Sequence, residues 1–223
     1  MKHEHPSKSH KKSGKKRRVG RPNQVTFDQI VEKVSELGLE GLTLNALAKS
    51  LEISPPALYR YVESKSDLER KFVDYVTTKY SVIQYNGEDW RIWIKNYAFA
   101  FYEMFTSSTG VADVAMRRVV TTNSGLARYE NGVAAARSSG FSEIDAYYAT
   151  QAVLDFVSAW VARAQRRDLV AREEGTHPQD QFFERVLSDP DNVYPATRSS
   201  ILAFKQMPED DRFESILDAL IEG

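Results

Sequence analysis

Apolar residues recur at helical intervals along almost the whole chain. Leu44, Leu47, Ala48 and Leu51 fall at i, i+3, i+4 and i+7, which is one face of a helix. No segment alternates apolar and polar residues with the period of a strand, so the pattern predicts an all-α fold of about ten helices. Thr26-x-x-Gln29 followed by Gly38 brackets a first helix over residues 27–37, because the two side chains cap each other's backbone N–H and glycine suits the turn that ends a helix. Thr43 caps a second helix reaching about Leu51. Ser54 precedes Pro55 and Pro56, a pairing that favours an extended cap and tolerates two missing N–H groups in the first turn, so a third helix is expected over 55–62. Ser64-x-x-Asp67 opens a fourth, expected to run to about 84. Beyond it the periodicity predicts helices over 89–107, 111–119, 123–139, 142–167, 178–187, 195–205 and 209–222, separated by Gly, Ser, Asp and Pro.

Two short helices, a tight turn and a third short helix make a helix-turn-helix, the arrangement that places one helix in the DNA major groove. In the third helix Leu58 and Val62 would face the core, leaving Pro55, Pro56, Ala57, Arg60 and Tyr61 outward as the surface that meets bases. Thr43, Tyr59 and Lys65 lie at helix starts or edges, where hydroxyls and a lysine suit the phosphate backbone, and Ser54, at the start of the third helix, is counted with the DNA-binding residues.

The same residues carry a resemblance. Gly41–Thr43, Leu47–Ala48, the run Ser54 to Tyr59 and Ser64-Lys65 through Leu68 together resemble the TetR family of bacterial transcriptional regulators over about residues 24–80. The resemblance implies a homodimeric repressor released from a palindromic double-stranded operator by a small-molecule effector. One departure is Glu52, where the family usually has glycine in the turn; a side chain in left-handed geometry costs about 1–2 kcal/mol.

Charge sharpens the picture. Net charge is −1, but residues 1–22 hold nine Lys and Arg against Glu4, a formal +8 that leaves −9 for residues 23–223. Residues 1–22 are expected to be a disordered basic arm, with Arg17, Arg18 and Arg21 in an Arg-Arg-Val-Gly-Arg-Pro run suited to a narrow minor groove. Residues 23–70 would form the DNA-binding domain and 71–223 a larger helical domain for effector binding and dimerisation. A rival reading is an architectural or partner-recruiting DNA-binding protein in which the arm dominates binding. The chain has no cysteine, which excludes disulfides, thiolate metal sites and a cysteine nucleophile. His3, His5 and His10 lie in the arm and only His177 lies outside it, so no enzyme, metal site or cofactor is expected. No apolar run reaches the roughly 18–20 residues of a membrane span. A cytoplasmic, nucleoid-associated location follows from the expected function.

In the larger domain, residues 142–167 and the apolar stripe Phe213, Ile216, Leu217, Leu220 and Ile221 within 209–222 are expected to join two copies, as the resemblance implies by their order. Aromatic residues gather in the middle helices. Trp93, Tyr97 and Phe101 on one, and Phe156 and Trp160 on another, would line an effector pocket oriented by Arg117, Tyr148, Gln151 and Asp155. Together these residues suit a cationic or amphipathic aromatic effector.

Overall fold

The computed structural model describes residues 25–118 and 121–222, and those residues hold eleven helices and no strand. The arm with Arg17, Arg18 and Arg21 lies outside the described residues. Helix α1 spans Phe27–Leu37, capped as expected: Thr26 Oγ1 accepts from Gln29 N at 3.3 Å while Thr26 N donates to Gln29 Oε1 at 2.9 Å. Helix α2 spans Leu44–Ser50 and α3 Pro55–Leu58. Between them Glu52 N donates to Lys49 O and Ile53 N to Ala48 O, the paired bonds of a Schellman closure, with Glu52 at its left-handed position, φ 55°.

Helix α3 ends at Leu58, four residues short of expectation. Tyr59–Val62 tightens instead, with Tyr61 N donating to Leu58 O across three residues. Helix α4 spans Lys65–Lys79 and also stops early: Tyr80 is extended, φ −100° and ψ 134°, and the chain then runs in loop to Asp89. Its start is capped by Ser64 Oγ, but the Asp67 carboxylate reaches past Ser64 to the N–H of Glu63.

The larger part of the chain is a bundle around α8, Glu143–Glu174. At 32 residues, about 48 Å, α8 runs seven residues beyond Arg167 because nothing in that stretch breaks a helix before Gly175, whose φ of 74° ends it. Helices α5 (Trp90–Thr106), α6 (Val111–Arg117) and α7 (Asn123–Ser138) pack along it. Helix α6 ends at Arg117 rather than reaching 119, which lies outside the described residues. Helices α9 (Pro178–Leu187) and α10 (Pro195–Gln206) follow, and α11 (Asp211–Glu222) begins two residues later than expected and lies against α5.

One apolar core runs from Ile30, Val34, Leu47 and Leu58 through Leu68, Phe72 and Val76 of α4 to Phe101, Val157 and Leu217. Helix α4 therefore belongs to both halves of the molecule. A separate small core, Phe183, Val186 and Ile201 with Leu187 and Phe204, joins α9 to α10. The late apolar stripe divides: Phe213 and Leu217 are buried within the chain, Phe213 stacked on Tyr102 at 4.2 Å, while Leu220 is 62% exposed.

Candidate functional site

The three-helix unit leaves a continuous outer edge. Ser54, Pro55, Pro56, Tyr59 and Arg60 are exposed around α3, Ala57 is half-buried among them, and Lys65 is exposed where α4 begins. Leu58 and Val62 are fully buried beneath this edge, which fixes how α3 is presented. Thr43 Oγ1 accepts from Ala46 N at 3.1 Å, which leaves its hydroxyl able to donate a further bond from this exposed position. Tyr61 departs from the expected outward position. It is half-buried, its hydroxyl donates to the carbonyl of Val25, and its own carbonyl accepts from Lys71 Nζ at 2.7 Å. Tyr61 thus ties the start of α1 to α4, and the outer edge is made without it.

The nine residues expected around an effector do not converge. Trp93, Tyr97 and Phe101 are buried and fill the interior against one another, Trp93 stacked on Tyr97 with centroids 4.6 Å apart and Phe101 edge-on to Tyr97 at 4.9 Å. Phe156 and Trp160 are half-buried around Phe213. Tyr148 is 62% exposed, and Gln151 donates to Asp155 at 2.9 Å on the outer side of α8. Arg117, exposed on α6, pairs with Asp113 at 3.0 Å and with Glu69 at 3.5 Å. Helical periodicity assigned these residues to the right helices; the faces were decided by which helices pack together.

Two charged residues that the pattern did not single out are buried on the inner faces. Glu69 of α4 is held by Arg117 and by Arg118, the latter at 3.4 Å, and so joins α4 to α6. Beside this junction lies a cleft of about 300 Å³ lined by Arg70, Val73, Asp74, Val114, Ala115, Arg117 and Arg118. Burial there raises the Asp74 carboxyl above its ordinary value, against the attraction of Arg70.

Arg128 of α7 is 6% exposed. One of its guanidinium nitrogens, Nη2, donates to Thr77 O at 2.7 Å and to Tyr80 O, and so supplies from another helix the cap that α4's end lacks. The other terminal nitrogen, Nη1, has no partner, and no carboxylate among the described residues pairs with the group. Burial pushes the guanidinium below its ordinary value. The carbonyl of Arg128 accepts from Tyr97 hydroxyl at 3.0 Å, and burial, with Tyr129 nearby, raises that phenol well above its ordinary range. The close approach depends on Gly132, where an added Cβ would stand 2.6 Å from Thr150 Cγ2 and 2.8 Å from the Tyr97 hydroxyl. A signal for Arg128 was present: Gly132, Ala135 and Ala136 follow at i+4, i+7 and i+8, a face of small residues that lets a neighbouring helix approach the one charged residue on it.

A family model described as Tetracyclin repressor-like, C-terminal domain, matches residues 84–223. The chain belongs to that family. It is a transcriptional regulator of the tetracycline-repressor-like kind. Curated relatives include the tetracycline repressor protein class D of Escherichia coli, 24% identical with 90% of this chain and 87% of that one covered. The class G repressor of Vibrio anguillarum is 27% identical, with 86% and 88% covered. Among solved structures, apo ActR from Streptomyces coelicolor superposes with a TM-score of 0.69 at 25% identity, covering 90% of this chain and 94% of ActR. ActR in complex with actinorhodin gives 0.69 at 25%, covering 89% and 96%. In this tetracycline-repressor-like chain, α4 begins beside the exposed edge of α3 and ends at Arg128 in the bundle.

Proposed function

We propose that the chain is a homodimeric repressor that a small molecule releases from a palindromic operator. The observation that carries this reading is α4: its first turn presents Lys65 beside α3, and its last turn is held by Arg128 of α7. A helix anchored in this way converts a change in the bundle into a change in the position of α3. An effector acts by binding two such arrangements with different affinity. Effector binding is further supported by ActR, which was solved with actinorhodin bound.

In this reading residues 23–70 bind DNA and 71–223 bind effector and partner copy. Pro55, Pro56, Ala57 and Arg60 meet bases, while Thr43, Ser54, Tyr59 and Lys65 meet phosphates. The arm places Arg17, Arg18 and Arg21 in the adjacent minor groove. One α3 reaches few base pairs, so two copies about 34–36 Å apart read the two half-sites. Residues 142–167 and 209–222 join the copies. The cytoplasm is the expected location.

The +8 charge of residues 1–22 favours a second reading, an architectural DNA-binding protein. Selection of genomic fragments at near-physiological salt, with the full chain and with a chain lacking residues 1–22, separates the two. A repressor recovers a few palindromes, bound about 10³–10⁷ times better than random DNA, from both chains. Diffuse A·T-rich recovery that is lost with the arm supports the architectural reading instead.

A further inference from the structure

We infer that the outer groove between α8, α6 and α9 binds an aliphatic carboxylic acid, its chain laid along α8 and its head held by Arg163 and Arg167. The site lies outside the bundle core and does not depend on the repressor reading above.

The groove encloses about 400 Å³, within the range of small-molecule sites, about 300–1,000 Å³. Ala159, Ala162, Arg163, Arg166, Arg167 and Val170 line it at i, i+3, i+4, i+7, i+8 and i+11, one stripe of α8 about 16 Å long. Met116 of α6 and Pro178 of α9 complete the walls.

Its chemistry is one-sided. Three arginines line the groove and no acidic residue does. Arg166 is matched by Asp113, but Arg167 is bonded to the neutral amide oxygen of Gln179 at 3.0 Å. Arg163 is exposed and has no hydrogen bond or ion pair among the described residues. Asp168, the next residue along α8, lies toward His177 at 3.8 Å. Two guanidinium charges therefore remain for a ligand, and a carboxylate meets a guanidinium through two parallel bonds. The rest of the lining is Ala, Met, Val and Pro, so a bare inorganic anion would leave it in contact with water. No aromatic ring lines the groove to stack on a flat ligand. A long narrow stripe beside the pliant thioether of Met116, 51% exposed, suits a flexible chain instead.

The groove overlaps the last turns of the 142–167 segment. The large apolar residues that α8 leaves exposed, Ile144, Tyr147 and Tyr148, lie at the opposite end of that helix, so the groove stays open when they are covered. Because its walls come from three helices, a bound chain ties α9 to α6 and α8.

Titration of the full chain with decanoate, decan-1-ol and decylammonium below the concentrations at which they aggregate, read by calorimetry and by NMR of labelled methionine methyl groups, tests the inference. Decanoate is expected to bind at least about tenfold more tightly than the alcohol, the difference a charge-assisted pair supplies, and the ammonium not to bind. The Met116 methyl signal should move while that of Met104, buried on α5, stays in place. Arg163→Ala should remove most of the preference for the acid and Arg163→Lys should keep part of it. Met116→Glu, which places a carboxylate beside the arginines, should abolish binding. Both positions are exposed, and the thermal midpoint of each variant shows that it is folded. Hydrogen exchange over residues 178–187 should slow when the acid is bound. A shift at Met104 with Met116 unmoved, equal binding of acid and alcohol, an unchanged preference in Arg163→Ala, or no binding of the acid at millimolar concentration overturns the inference. None of these measurements uses DNA, so they can fail while palindromes are still selected, and succeed where none is.

Discussion

Asp67 divides its carboxylate among Glu63 N–H at 3.0 Å, Arg70 at 2.6 Å and Lys71 at 2.9 Å. Burial alone would raise it, yet the Glu63 bond and the two cations hold it at about 2 against an ordinary 3.8. A carboxylate depressed in the folded state stabilises fully above its unfolded value and loses that contribution as pH falls toward the folded value. Asp67→Asn is therefore expected to lower the denaturation midpoint at neutral pH, with the gap to the parent closing between about pH 4 and about pH 2. A gap of constant size across that range would assign Asp67 a role independent of charge. The capping role was legible in Ser64-x-x-Asp67, because capping is settled within four residues. The small-residue face that follows Arg128 was visible in the sequence, but its capping role was not, because its partners Thr77 and Tyr80 lie about fifty residues earlier and only the packing of α7 on α4 brings them together. Tyr61 illustrates the same limit: its turn was legible, but the Val25 carbonyl that captures its hydroxyl was not.

Among the elements, the turn between α2 and α3 holds Glu52 at φ 55°. Both Schellman bonds form there with a side chain where glycine is the relaxed choice. Glu52→Gly relieves about 1–2 kcal/mol of left-handed strain and returns about 0.4–1 kcal/mol to the unfolded chain as entropy. A net gain of roughly 0.5–1 kcal/mol in urea denaturation is expected. A loss would show that the glutamate side chain itself holds the turn. Helix starts were well marked in the sequence, since Thr26, Thr43, Ser64 and Ser142 each accept the cap bond their position implies. Helix ends were less so. The end of α4 has no glycine and is closed by Arg128 instead, while α8 continues until the first available glycine.

For the whole molecule, Ile144, Tyr147 and Tyr148 on α8 and Leu220 on α11 are large apolar side chains left exposed by a single chain. Joined across a two-fold axis they would form the shared face of the proposed dimer. Ile144→Glu combined with Leu220→Glu is expected to shift sedimentation from dimer to monomer and to weaken palindrome binding at least tenfold, the loss of about 1.4 kcal/mol or more. A double variant that still sediments as a dimer would place the interface elsewhere. The division of the late stripe explains why the sequence alone overstated this face: Phe213 and Leu217 satisfy the bundle before any second copy arrives.

The small core that joins α9 to α10 touches the rest of the bundle chiefly through the far end of α8. Changes among Phe183, Val186 and Ile201 are answered by one another, and distant sites with no shared partners add their effects independently. Changes in the length or sequence of this hairpin are therefore expected to leave the hold of Arg128 on the end of α4 as it is.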